Sequence, residues 1–264
     1  MRLSIPTYHE TLWSAAFPGD QQPCSLLKPT LSHLLNLLPW TPSERTRIIV
    51  RSDAGLGTDA NINWLLWLNF QVLMKGRSGK RAQALARAIS SEDWLADDSR
   101  RRWLAVATNP PRYGRRTVTY VLRWATATDQ LRYGTLVSSL LDWVPLSTWR
   151  LHDGRGAIEV EIKADKSGLL IPKRRKQCLD AQEALILISD LAHNILAWLH
   201  PWMLADSQFV SYGPERLVSD LLCIPGRVEI SEGRLTKVAL KASHPYAAPM
   251  RECLLQLLDH FGNP

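Results

Sequence analysis

One stretch of the sequence, residues 152–169, places several ionisable side chains on what would be a single face of a helix. At about 100° per residue, His152, Glu159 and Lys166 all fall within about 60° of Arg155. A carboxylate flanked by two cations could hold a metal ion beside a phosphate backbone. A solvated helix with charge pairs four residues apart would show the same pattern, so this stretch alone allows both interpretations.

Asp53 is a second candidate metal ligand, because it follows the β-branched apolar run at residues 47–52. Such a run predicts a buried strand. Functional groups collect at the carboxyl ends of strands in an open α/β sheet, where Asp53 would lie. The alternative is that Asp53 only begins a turn with Gly55 and Gly57.

The same segment also allows a third interpretation, a dinucleotide-binding oxidoreductase. Gly55, Gly57 and Ala60 fit the pattern G-x-G-x-x-A, and Lys75 or Arg77 could receive the 2′-phosphate of NADP. Two observations disfavour it. The charge of Asp53 would lie close to the pyrophosphate, and the β-like runs after residue 100 interrupt the repeated βαβ pattern of such a domain.

Composition limits the class of protein. The 264 residues are 45% hydrophobic and carry a net charge of +7, which predicts a globular chain of one elaborated domain or two small ones and favours a polyanionic partner. The four cysteines are far apart, which argues against a zinc site or disulfide framework and fits a reducing cytoplasm. The apolar segment 184–199 contains Asp190 and His193, so we predict a buried core helix and no membrane span.

Hydrophobic periodicity predicts a mixed α/β chain. The predicted strands are 11–17, 47–53, 70–76, three runs between 103 and 141, and a hairpin around Glu232-Gly233. The predicted helices are 25–39, one capped by Thr58 or Asp59, a basic one at 78–89, a long one opened by Pro145, 181–204, 214–222 and 249–261.

Taken together, these features resemble the DDE insertion-sequence transposases of the IS-four superfamily, from about Phe17 to the C-terminus. The run His152-x2-Arg155-x3-Glu159-x6-Lys166 is similar to the signature Y-x2-R-x3-E-x6-K, with histidine in place of tyrosine. The segment 51–57, RSDAGLG, looks like the second-aspartate segment R-x-D-x-G-F-G, and 191–203 is similar to the apolar helix after the glutamate.

The resemblance implies an RNase H-like fold in which an Asp-Asp-Glu triad holds two Mg²⁺ (or Mn²⁺) ions. Asp53 would be the second carboxylate of that triad and Glu159 the third, both catalytic and metal-binding. Arg155 and Lys166 would contact DNA phosphates near the cleaved end, and His152 would stand at the tyrosine position. Hard Mg²⁺ prefers carboxylate oxygen, and two such ions support in-line phosphoryl transfer.

One departure from the family pattern is that the first aspartate has no match. Asp20 is the sole aspartate before Asp53, and it lies in the turn-like segment PGDQQP. We therefore expect residues 1–264 to be a transposase core that is incomplete at the N-terminus and catalytically impaired. A β-rich insertion is predicted at 100–143 and a helical and hairpin extension at 180–264.

The predicted partner is DNA at the terminal inverted repeats of an insertion element, in the bacterial cytoplasm and nucleoid. A second phosphate-contacting patch is predicted in the basic run Lys173, Arg174, Arg175 and Lys176. A homodimer or a complex with a full-length transposase is also expected. The alternative function is a non-catalytic remnant that binds DNA or inhibits the transposase.

Overall fold

The computed structural model describes residues 1–97, 101–171 and 176–262. The chain divides into two compact units. The first comprises Met1 and residues 17–156, and the second comprises residues 2–16 and the chain from 157 onward. The boundaries of these units differ from those of the predicted β-rich insertion at 100–143 and the predicted extension at 180–264. Both segments remain predictions.

Helices and strands are numbered in chain order. The strands are β1 (Arg2–Ile5), β2 (Glu10–Ser14), β3 (Ile49–Ser52), β4 (Gln71–Gly76), β5 (Leu95–Asp97), β6 (Arg102–Val106), β7 (Val118–Ala125), β8 (Leu131–Ser138), β9 (Gly226–Ser231) and β10 (Arg234–Leu240). The α-helices are α1 (Pro23–Leu37), α2 (Pro42–Arg45), α3 (Asp59–Trp67), α4 (Gly79–Arg87), α5 (Pro145–Asp153), α6 (Gly156–Gly168), α7 (Leu179–Leu199), α8 (Pro214–Arg216) and α9 (Ala247–Gly262). A π-helical turn, His200–Leu204, continues α7.

A six-stranded mixed sheet, in the order β3-β4-β8-β7-β6-β5, is the centre of the described first unit. β3 and β4 are parallel and are joined through α3, and the other neighbouring strands are antiparallel. The predicted α/β class is therefore confirmed. The runs between 103 and 141 form antiparallel strands, as predicted, but they extend the sheet of β3 and β4 because β8 pairs with β4.

The segment from β3 to β4 follows the local sequence signals. Thr58 caps α3, since its side chain accepts a hydrogen bond from the Asn61 N–H. Apolar side chains of β4, including Val72, Leu73 and Met74, are fully buried, as expected for a strand covered on both faces. Gly57 packs directly against the carbonyl of Lys75, and its own carbonyl accepts a bond from the Arg77 N–H.

The prediction of one long helix from Pro145 is wrong, because the structure divides this segment into α5 and α6. The Gly154 N–H bonds to the Arg150 carbonyl, and the Arg155 N–H bonds to the His152 carbonyl in a tighter turn. Glycines at 154 and 156 favour helix poorly, which helps the chain to turn here. His152 and Glu159 therefore lie on two separate helices, α5 and α6.

The second unit is organised by buried ionic and amide hydrogen bonds between α7 and its neighbours. Asp165 of α6 contacts both Arg2 of β1 (2.5 Å) and His193 of α7 (2.8 Å). Asn194 bonds through its side chain to the N–H and the carbonyl of Thr11 on β2, at 2.8 Å each. A hydrophobic core lies behind these contacts and includes Leu196, Leu204, Phe209, Leu217 and Cys253.

Two further predictions concern this unit. The β9–β10 hairpin turns at Glu232 and Gly233, whose φ angles of 51° and 75° suit the two-residue hairpin turn that the sequence predicted. No helix in the described part of the chain is long and apolar enough to cross a membrane. The expectation of a buried α7 is wrong in one respect: His193 and Leu196 are buried, but Ile188 and Leu191 on the other side are exposed.

Replacing Gly57 by alanine should destabilise the first unit. The added Cβ would overlap the Lys75 carbonyl oxygen, so the turn or β4 would have to move. We expect the free energy of unfolding in urea to fall by about 1–3 kcal/mol. Gly79→Ala is the matched control, since nothing lies within 4 Å of an added Cβ there. Equal stability of the two variants would contradict this account of Gly57.

The stability of the second unit should depend on pH through His193. Nε2 of His193 donates to the His9 carbonyl and Nδ1 faces Asp165, so both ring nitrogens need protons. Burial lowers the pKa of His193, but Asp165 and the His9 carbonyl outweigh it and raise the pKa above 6.5. Burial raises the pKa of Asp165, but His193 and Arg2 outweigh it and lower the pKa below 3.8.

The stabilisation is therefore complete between about pH 4 and 6.5 and is lost as the pH rises through the raised pKa of His193. It is also lost as the pH falls through the lowered pKa of Asp165. Thermal unfolding of the wild type and His193→Gln across this range measures the effect. We expect the variant to lack the alkaline loss, and parallel pH profiles for the two proteins would disprove the assignment.

Candidate active site

The carboxyl ends of the parallel strands β3 and β4 bring Asp53 and Lys75 together. Ser52 is in register with Met74, so the residues that follow them, Asp53 and Lys75, are neighbours at the same edge of the sheet. Asp53 is exposed, and its Oδ1 accepts a hydrogen bond from the Gly55 N–H at 2.9 Å. The turn and ligand interpretations of Asp53 are thus compatible, because the turn fixes the carboxylate at the mouth of the site.

Lys75 is half-buried and held over an aromatic ring. Its Nζ lies 4.7 Å from the centroid of the Trp124 ring, and Gly134 leaves room for its Cε atom. Burial lowers the pKa of Lys75, and the positive charge of Arg155 lowers it further, against the opposing carboxylates of Asp153 and Asp53. The site therefore combines two cations and two carboxylates in one electrostatically coupled group.

Two hydrogen bonds fasten the end of α5 to the end of β3. His152 is 3% exposed, and its Nε2 donates to the carbonyl of Ser52 at 3.0 Å. In return, the guanidinium of Arg51 donates to the carbonyl of Leu151. Because these bonds join the residues just before Asp53 to those just before Asp153, they fix both carboxylates relative to each other.

Arg102 holds Asp153 from the other side. Its guanidinium lies 4.1 Å from the centroid of the Trp149 ring and pairs with both Asp97 (2.9 Å to Nε) and Asp153. Burial raises the pKa of Asp153, but His152 and Arg102 outweigh it and lower the pKa, so the carboxylate stays ionised. Asp153 is therefore an anion with a fixed orientation.

The positive charge of the chain belongs to the first unit. That unit contains 19 Lys and Arg against 11 Asp and Glu, whereas the second contains 13 against 14. The charge that favours a polyanionic partner is thus concentrated in the unit that carries Asp53 and Lys75.

The other predicted site residues lie elsewhere. Glu159 and Lys166 belong to the second unit, where both are exposed and, seven residues apart on α6, share a face. Lys176 is exposed, and Lys173, Arg174 and Arg175 fall outside the described residues. The structure thus brings together Asp53, His152 and Arg155 in the first unit. The DNA-contacting role of the buried His152 stays a prediction.

Sequence reasoning missed two residues of this site and gave two others a different part. Arg102 and Asp153 were not singled out, since no local pattern marks a residue that acts through contacts distant in sequence. Arg51 was noted solely as the first residue of the segment RSDAGLG. Lys75 was considered solely as a receptor for a 2′-phosphate. The rule that led to Asp53 could have led to Lys75 as well, since it too lies at the carboxyl end of a strand.

The candidate active site offers one carboxylate ligand, Asp53, for a metal ion. The Asp53 carboxylate is the hard oxygen donor that Mg²⁺ prefers, and it is exposed at the edge of the sheet. Within the described ranges, no group of three or more His, Cys, Asp or Glu side chains is arranged to hold a metal. Asp53 therefore fits as one ligand, and a complete three-carboxylate centre is not formed by those residues.

Removing the Arg102 guanidinium should release α5 from the sheet. Arg102→Met leaves Asp97 and Asp153 in a buried setting without their cation, for which a cost of about 3–5 kcal/mol in unfolding free energy is expected. The neighbouring Arg101 pairs with Asp129 at a surface where both side chains are more than half exposed, so Arg101→Met should cost under about 1 kcal/mol. Chemical denaturation of both variants measures the difference, and similar costs would contradict the anchoring role.

Comparison with known protein families agrees with the resemblance to DDE transposases. One family model, described as Transposase DDE domain group 1, matches residues 12–260. A search among curated proteins found no match. The family match spans both units and nearly the whole chain, so this protein belongs to the transposase DDE domain family.

Proposed function

We propose that the chain acts in DNA transposition as a transposase of the IS-four superfamily with an RNase H-like core, and that by itself it is catalytically impaired. The observation that carries the proposal is Asp53 beside Lys75 at the carboxyl ends of β3 and β4, with the charge of Arg155 acting on Lys75, in a chain of the DDE transposase family. Its substrate would be the DNA at the ends of an insertion element, in the bacterial nucleoid.

Asp53 and Glu159 are the proposed catalytic carboxylates and ligands of Mg²⁺ or Mn²⁺. Both are exposed in their own units, and both offer hard oxygen donors. When bound, a divalent ion supplies the Lewis acidity that activates an attacking water or 3′-hydroxyl and stabilises the leaving oxygen. Lys166 and the basic run 173–176 are proposed to contact DNA phosphates.

The residues of the first unit would receive and orient a phosphate. Lys75 and Arg155 place two positive charges beside Asp53, and the half-buried setting of Lys75 strengthens its attraction for an anion. The Asp53 turn and the bond from His152 to Ser52 keep the carboxylate in one position before DNA arrives. Such preorganisation reduces the rearrangement needed during phosphoryl transfer.

The impairment follows from the carboxylates that the sequence provides. The family triad needs an aspartate before Asp53, and the one aspartate there, Asp20, is exposed in the turn between β2 and α1. Two carboxylates can hold one ion weakly, whereas the two-metal reaction requires more ligands. The second candidate function, a remnant that binds DNA or a full-length transposase without cleaving, is favoured by the positive charge of the first unit.

Binding of Mn²⁺ to the purified chain tests the site. We expect weak binding, seen by electron paramagnetic resonance, whose affinity falls at least about tenfold in Asp53→Asn. Asp142→Asn removes another exposed carboxylate of the first unit and should leave the affinity unchanged. Unchanged binding in Asp53→Asn would refute its role as a ligand.

The DNA arm of the same experiment uses fluorescence anisotropy with a short duplex. We expect the affinity to fall by roughly one log unit per log unit of salt for each phosphate contact. Steep salt dependence without Mn²⁺ binding would leave the non-catalytic remnant as the function. An absence of affinity for the duplex at low salt would refute both the transposase and the DNA-binding remnant.

A further inference from the structure

The outward side of α7 and of the π-helical turn that follows it is apolar from Ile188 to Trp202. Five side chains, here named the α7 stripe, follow one another at spacings of three and four residues. They are Ile188, Leu191, Ile195, Trp198 and Trp202, with exposed fractions of 64%, 57%, 44%, 38% and 37%. A solvent-facing helical surface normally carries charged residues, and in this stripe none is charged. An apolar surface of this extent marks a site of interaction.

The orientation of the α7 stripe is fixed by the other side of the helix. Asp190 and His193 are buried there and are paired with Arg2 and Asp165, respectively. Rotating α7 to hide the stripe would break both contacts and expose Leu196 of the core. The exposure of the stripe is therefore a consequence of how the opposite side of α7 packs in the second unit.

The spacing of the α7 stripe is that of a coiled-coil seam. Within α7, the steps of three, four and three residues from Ile188 to Trp198 average about 3.5 residues, which keeps a seam turned toward a partner helix. Trp202 extends the apolar surface beyond α7, in the π-helical turn, where its ring stacks on His260 of α9. Isoleucine at positions 188 and 195 alternates with leucine at 191 and tryptophan at 198. Alternating β-branched and other large apolar residues of this kind suit helix pairs. We propose that the α7 stripe is the surface at which two copies of this chain form a dimer, helix against helix.

The area available is that of a stable dimer. Tyr8 and Val160, exposed by 65% and 68%, line a groove of about 790 Å³ together with Trp198 and Trp202. With the α7 stripe these side chains expose on the order of 700 Å² per copy, close to the 800 Å² per partner of a standard interface. In a two-fold symmetric dimer the α7 stripe of one copy packs against the α7 stripe of the other, so the surface needs to be complementary only to itself.

Charge excludes DNA from this surface and allows a second copy. The α7 stripe carries no cation for a phosphate, and the second unit as a whole has 13 Lys and Arg against 14 Asp and Glu. The stripe itself carries no like charges, and the two carboxylates in the groove beside it each have a partner: Glu10 accepts a hydrogen bond from Trp198, and Glu161 pairs with His9. The α7 stripe thus supplies an interface for the homodimer expected from the sequence. Because this interface depends on α7, the dimer does not require that the chain cleave DNA.

Sedimentation velocity of the full chain over about a hundredfold concentration range tests the dimer. We expect the wild type to change from monomer to dimer, and Ile188→Glu to raise the dimer Kd at least about tenfold. Ile230→Glu is the matched control: Ile230 is 69% exposed on β9 of the same unit, away from the α7 stripe, and its replacement should leave the Kd unchanged.

Circular dichroism verifies that each variant is folded. Should Ile188→Glu lose its helical signal, Leu191→Ser, which removes an apolar seam side chain without adding charge, is measured in the same way with the same expected weakening. A wild type that stays monomeric at every concentration overturns the proposal. Equal effects of Ile188→Glu and Ile230→Glu overturn it as well.

Discussion

The hydrogen bond from His152 to the Ser52 carbonyl is the contact on which the candidate active site depends. It joins residues 100 positions apart, and the bond from Arg51 to the Leu151 carbonyl repeats the connection in the opposite direction. Because the end of β3 is thereby held to the end of α5, Asp53 and Asp153 have fixed positions, and both act on the charge of Lys75. The same tie brings Arg155, in the turn after α5, to the edge of the sheet.

Both units place charges in their interiors, and each charge there has a defined counterpart. In the first unit Arg102 lies between Asp97 and Asp153 and covers Trp149, and in the second Asp165 lies between Arg2 and His193. Such groups are costly to bury singly, so their pairing restricts the arrangements that the chain can adopt. The excess positive charge, by contrast, lies in the first unit and is available to a polyanion.

Elements that depend on neighbouring residues could be predicted from the sequence. The strand before Asp53, the cap at Thr58, the strand 70–76 and the hairpin at Glu232-Gly233 arise from apolar runs, capping hydroxyls and turn residues, which act locally. The break between α5 and α6 was missed although Gly154 and Gly156 mark it locally, because the periodic pattern of charged residues continues across it. The joining of β8 to β4 was also missed, because strand pairing over a long loop leaves no local signal.

The sequence alone pointed to a DDE transposase through the spacing of its charged residues, and it marked Asp53 and Glu159 as carboxylates to consider. It also determined that one aspartate, Asp20, precedes Asp53. Only the tertiary structure decided that Lys75 and Asp153 join Asp53, and that His152 serves as a buried tie. The physical reason is that sheet register and buried hydrogen bonds select partners by position in space, whereas periodicity describes one segment at a time.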